Sequence, residues 1–142
     1  MDNNINVLDE LNKGSCMGID ALDFIISKVD ELEFKELLEN QKKEYEDFSN
    51  KINELYREYT TKDIHETKMM EKVMTWYGIQ KDTILDDSIS NLAELLIKGT
   101  NMGIVEGRKL LNDKTMDKKV HKICSDYVKM QERYLDKLKE YL

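Results

Sequence analysis

The chain has 142 residues, enough for one domain with a buried core, and it contains six glycines and no proline. Its composition, 40% hydrophobic and 36% charged, is typical of helices with one narrow apolar face, and the scarcity of turn residues disfavours an all-β fold. The net charge is −7 with Lys and Arg spread among acidic residues, which argues against nucleic-acid binding because phosphates require clustered cations.

The first residues read MDNN, with neither a basic start nor an apolar run after it. We therefore expect no signal peptide, and no stretch approaches the length of a membrane span. These features predict a cytoplasmic protein that does not contact membranes. Cys16 and Cys124 are then expected to remain reduced.

Apolar residues at alternating spacings of three and four predict two helices in the first part of the chain, at about residues 5–29 and 31–59. The first helix carries Leu8, Leu11, Ser15, Gly18, Leu22, Ile25 and Val29 on its packing face. The second carries Phe34, Leu38, Gln41, Tyr45, Phe48, Ile52, Leu55 and Tyr59. Asp30 marks a short turn, so the two helices should form an antiparallel hairpin.

Residues 60–87 are predicted to be a long connection that contains one short helix. One side of this helix, the methionine stripe, consists of Met69, Met70, Val73, Met74, Trp76 and Tyr77. Methionine-rich faces adapt to varied partners, so the stripe is a candidate contact for a homodimer or another protein. The alternative, which we favour, is that the short helix covers one side of the bundle.

Two more helices are predicted at about residues 88–112 and from Thr115 to the C-terminus, joined by the short link 112–114. The last helix carries Val120, Cys124, Tyr127, Gln131, Tyr134, Leu138 and Tyr141 on its packing face. These helices should form a second antiparallel hairpin.

The two hairpins share a sequence element, which indicates an internal repeat. Residues 13–19 read KGSCMGI and residues 98–104 read KGTNMGI, identical at five of seven positions. The alternative is that both segments are simply amphipathic. The repeat predicts one all-α domain over residues 1–142: a four-helix bundle with hairpins at 5–59 and 88–142 and a crossover at 60–87. That crossover would place the third helix parallel to the second, as in the ferritin-like topology.

On these elements the chain resembles the ferritin-like superfamily, and more narrowly bacterial helical-bundle proteins of uncharacterised function that carry a paired KGxxMGI element. The resemblance implies the fold. Ferritin-like di-iron proteins carry Glu-x-x-His pairs, and no Glu in this sequence is followed three residues later by His. We therefore expect neither a metal nor another cofactor.

Polar residues occupy the packing faces at the predicted bundle centre: Ser15, Gln41, Tyr45, Thr100, Tyr127 and Gln131. Buried amides and phenols need hydrogen-bond partners, and crossed Gln–Tyr pairs would supply them. We favour this hydrogen-bonded core over a small-molecule site in the same place. A weaker alternative is a residual metal site formed by Asp20, Glu44, Asp47 and Glu106, which are more typical of solvated helix flanks.

Glycine recurs at four-residue spacing in the first and third helices, at Gly14, Gly18, Gly99, Gly103 and Gly107. A helical glycine costs about 1 kcal/mol relative to alanine, so something must compensate. We expect a tight crossing of these two helices. A cofactor lying against the glycines is the alternative.

The sequence contains no phosphate-binding loop, nucleophile elbow or zinc-protease motif, since Met69 stands where the second histidine after His65 would be. We therefore favour a non-enzymatic scaffold or interaction protein. The alternatives are a degenerate ferritin-like metal-binding protein and a small-molecule-binding helical bundle.

Overall fold

A computed structural model of the chain describes residues 3–62 and 87–142, and these ranges contain four helices and no strand. The helices are α1 (Asn3–Ile26), α2 (Leu32–Tyr59), α3 (Ile89–Leu111) and α4 (Lys118–Lys139). α1 packs along α2 and α3 packs along α4, and the two hairpins pack on each other. The predicted all-α fold of two packed helical pairs is therefore confirmed.

The helix ends differ from the predicted ones where local hydrogen bonds compete with the helix. α1 ends at Ile26, because the amides of Lys28 and Val29 bond three residues back, in tighter turns. α4 begins at Lys118 and not at Thr115, because the Thr115 amide and hydroxyl both donate to Asp113, at 3.0 and 2.7 Å. An aspartate turn of this kind holds the chain out of the helix.

Two side-chain contacts fix the directions of the helices. At the start of α1, the Asn3 amide donates to Asp113 in the α3–α4 loop at 2.8 Å. At the end of α2, the Tyr59 hydroxyl donates to Asp117, just before α4, at 2.7 Å. The start of α1, the end of α2, the end of α3 and the start of α4 therefore lie together. It follows that α1 and α4 run in one direction and that α2 and α3 run in the other.

The buried interior contains most residues of the packing faces predicted for α1, α2 and α4, but Phe48, Leu55 and Tyr59 are only half-buried and Met130 is buried outside those faces. Its largest fully buried apolar side chains are Leu8, Leu11, Leu22, Ile25, Phe34, Leu38, Ile52, Leu92, Leu96, Met130 and Leu138. Burial of such side chains contributes about 1.5–3 kcal/mol each, which makes this interior the main source of stability. None of the four described helices is long and apolar enough to cross a membrane. The methionine stripe and His65 lie outside the described residues.

Candidate functional site

All six polar residues of the predicted bundle centre are buried, and they come from all four helices. Tyr45 on α2 donates its hydroxyl proton to Oε1 of Gln131 on α4, at 3.2 Å. Gln41 donates from Nε2 to the Thr100 hydroxyl on α3, at 3.4 Å. Hydrogen bonds thus join α2 to both helices of the second hairpin at the centre.

The pairing at the centre is only partly the crossed arrangement of amides and phenols described above. Tyr45 pairs with Gln131, but Gln41 pairs with Thr100 and not with Tyr127. Tyr127 instead packs its ring edge-on against Tyr45 and Phe48, with ring centres 5.9 and 5.6 Å apart. Such contacts fill the interior with uncharged groups.

Two polar atoms at this centre have no hydrogen-bond partner in the described part of the chain. They are Oε1 of Gln41 and Nε2 of Gln131, and both residues are 1% exposed. An orphaned buried polar atom costs about 1–3 kcal/mol. The centre is therefore packed, but two of its polar atoms lack a hydrogen bond within the described residues.

The four carboxylates of the alternative metal site do not come together. Glu44 is paired with Arg133 at 3.0 Å and also accepts a hydrogen bond from Tyr134, whose pKa is raised by burial and by this contact. Glu106 lies on the surface, 3.4 Å from Lys109. Within residues 3–62 and 87–142, no three His, Cys, Asp or Glu side chains are grouped closely enough to hold a metal ion.

Side chains of α2 and α4 fill the space beside the glycines. A Cβ at Gly18 would lie 2.9 Å from ring atoms of Tyr45, and one at Gly14 would lie 2.8 Å from the Tyr127 hydroxyl. On α3, a Cβ at Gly103 would overlap Oε1 of Gln131. At Gly14, Gly18 and Gly103 the missing side chain thus makes room for large side chains of α2 and α4, a role that the expected tight crossing of α1 and α3 did not include.

A groove of about 320 Å³ lies between α1 and α3, where the tight crossing was expected. It is lined by Glu10, Leu11, Lys13, Gly14, Met17, Gly103, Glu106, Gly107, Leu110 and Tyr127. Leucine, methionine and the Tyr127 ring make the lining mainly apolar, whereas its charged members are Glu10, Lys13 and Glu106. Its three glycines are packed against the side chains of Tyr127, Gln131 and Val128. The sequence signalled this groove through its glycine spacing, but the spacing alone did not distinguish a groove from a helix contact.

The two cysteines differ in their surroundings. Cys124 on α4 is fully buried, its sulfur lies 3.8 Å from the Gly107 carbonyl oxygen, and burial raises the pKa of its thiol to about 11. Cys16 on α1 is half-buried. A thiol with a raised pKa is a poor nucleophile at neutral pH, so Cys124 acts as a small core residue.

Neither a protein-family model, a curated protein nor a solved structure matches this chain. Membership of the ferritin-like superfamily and the significance of the KGxxMGI element therefore stay predictions. The choice between functions depends on the geometry of the chain itself.

Proposed function

We propose that this protein is a non-enzymatic helical bundle that binds a small, mainly apolar molecule in the groove between α1 and α3. The observation that carries the proposal is the glycine-lined groove of about 320 Å³. Ligand sites typically have volumes of about 300–1,000 Å³, with apolar walls and few polar groups. The role favoured by the sequence, a scaffold or interaction protein, stays a prediction, and its candidate contact surface, the methionine stripe, lies outside the described residues.

The lining of the groove determines the class of ligand. Leu11, Met17 and Leu110 provide apolar contacts, and the Tyr127 phenol adds an aromatic ring with one polar atom. Gly14 adds no side chain of its own to the wall, and the Tyr127 hydroxyl lies beside it. These features favour a compact neutral molecule, such as a small aromatic or alicyclic compound, over a highly charged one.

The same proposal includes a ferritin-like bundle built from a repeated hairpin. The antiparallel hairpins and the parallel course of α2 and α3 support this topology. The repeat aligns Gly18 with Gly103 and Tyr45 with Gln131. In each hairpin, the glycine faces the aligned side chain of its own partner helix, which supports a duplicated origin.

The test is a titration of the protein with neutral fragments such as indole and cyclohexanol, followed by methyl NMR. We expect saturable shifts of the Met17 and Leu110 methyl signals, because both side chains line the groove. Leu110→Trp should abolish these shifts at Met17, since the larger ring would occupy the groove. The Leu110 side chain is half-buried, so the variant is expected to fold.

Val105→Trp is the matched control on the same helix, because Val105 is 45% exposed and is not among the groove residues. This variant should bind the fragments as the wild type does. Absence of saturable shifts at Met17 for every fragment would contradict the proposal. Equal loss of binding in both tryptophan variants would contradict it as well.

A further inference from the structure

A second cavity, of about 370 Å³, lies at the corner where α3 turns into α4. It is lined by Leu111, Lys114, Met116, Lys118 and His121. Met116 is buried and Leu111 is half-buried, whereas the other three side chains are exposed. The corner cavity thus combines a small apolar surface with three nitrogen-bearing side chains.

The two lysines of the corner cavity form no ion pair with any described residue. Their neighbours on α4 behave differently. Lys119 is 3.5 Å from Glu58, and Lys122 is 2.8 Å from Asp126. Ion pairs therefore hold the lysines beside the cavity but not the two that line it.

The two closest carboxylates in sequence form no ion pair with these lysines. Asp113 accepts hydrogen bonds from Asn3 and Thr115, and Asp117 accepts one from the Tyr59 hydroxyl. Both carboxylates are oriented by these contacts at the helix ends. The ammonium groups of Lys114 and Lys118 are consequently free of a direct contact and can reach an external anion.

We propose that the corner cavity binds a small organic anion. A carboxylate or phosphate head group would be held by Lys114, Lys118 and His121, and a short apolar portion would pack on Leu111 and Met116. Ammonium groups and an imidazole suit either head group, because each supplies N–H donors to anionic oxygens. This site is separate from the α1–α3 groove and does not depend on the function proposed for it.

The experiment is calorimetric titration of the full chain with butyl phosphate and with butyrate, and with butanol as the uncharged counterpart. We expect saturable binding of at least one anion and none of butanol. Lys114→Gln together with Lys118→Gln should weaken that binding by about tenfold or more, since two unpaired cations facing the ligand are removed. Both lysines are exposed, so the double variant should retain its circular dichroism spectrum.

The matched control is Lys119→Gln together with Lys122→Gln, which changes the net charge by the same amount in the first part of α4. Because these lysines are already paired, we expect less than about a threefold change in affinity from their long-range field. Equal weakening by both double variants would overturn the proposal in favour of nonspecific attraction. Absence of saturable binding by both anions would overturn it too.

Discussion

Replacing Gly103 by alanine tests how the centre of the bundle is packed. The new methyl group would overlap Oε1 of Gln131 and lie 3.1 Å from its Cδ. Gln131 is 1% exposed and accepts the hydroxyl proton of Tyr45, so its carboxamide cannot move into solvent. The substitution should therefore force the carboxamide away from Tyr45.

Three contributions determine whether Gly103→Ala raises or lowers the free energy of unfolding. Alanine gains about 1 kcal/mol over glycine in a helix interior. Displacing a buried, hydrogen-bonded carboxamide costs about 1–3 kcal/mol for the orphaned polar groups. Overpacking adds about 1–3 kcal/mol more. The costs exceed the gain, so we expect Gly103→Ala to lower the free energy of unfolding by at least about 1 kcal/mol.

A double-mutant cycle with Gln131→Ala makes this prediction specific. In that background the obstructing carboxamide is gone, so Gly103→Ala should raise the free energy of unfolding by up to about 1 kcal/mol through helix propensity. Urea denaturation followed by circular dichroism measures all four proteins. Stabilisation by Gly103→Ala in the wild type, or the same sign in both backgrounds, would show that Gln131 does not pack on Gly103.

Four further predictions concern metal content, association and thiol chemistry. Aerobic iron loading followed by elemental analysis should find no stoichiometric iron; near-stoichiometric uptake would contradict the packed, uncharged centre. Met70→Glu with Met74→Glu should lower the mass measured by light scattering if the methionine stripe joins two copies, and a monomeric wild type would refute that contact. In the folded protein Cys16 should react with a disulfide reagent at pH 8 faster than Cys124, because Cys124 is fully buried and its thiol pKa is about 11; equal rates would contradict its burial. The free energy of unfolding should fall as the pH rises from 9.0 toward 11, since the unfolded Cys124 thiol loses its proton first; Cys124→Ala should lessen this fall, and an unchanged pH profile would argue against it.

The helices could be predicted from sequence because their packing faces are regular. Phe34, Leu38, Ile52 and Leu138 lie on those faces and are fully buried. α2 was predicted almost to the residue, since its apolar spacing runs without interruption to Tyr59. The start of α4 was predicted too early because Thr115 donates two hydrogen bonds to Asp113, which hold it outside the helix. The spacing of apolar residues does not reveal such hydrogen bonds.

The surroundings of the glycines could not be predicted in the same way. Spacing places Gly14, Gly18 and Gly103 on the inner faces of their helices, but it does not say what approaches them. The choice between a neighbouring backbone and a Tyr45 or Gln131 side chain depends on how far helices stand apart. That distance is set by the packing of the whole interior.

The hydrogen bonds at the end of the bundle have a consequence for biosynthesis. Asn4 accepts a bond from the Asp117 amide at 2.7 Å, and Asn3 donates to Asp113, so residues at the start of α1 find their partners more than a hundred positions later in the chain. On the ribosome, the α1–α2 hairpin can form early, but this end stays open until the second hairpin emerges. Hydrogen bonds from Thr115 and Asn3 lower the pKa of Asp113. Its carboxylate therefore stays charged and hydrogen-bonded at neutral pH, and these contacts at the end of the bundle weaken in strong acid.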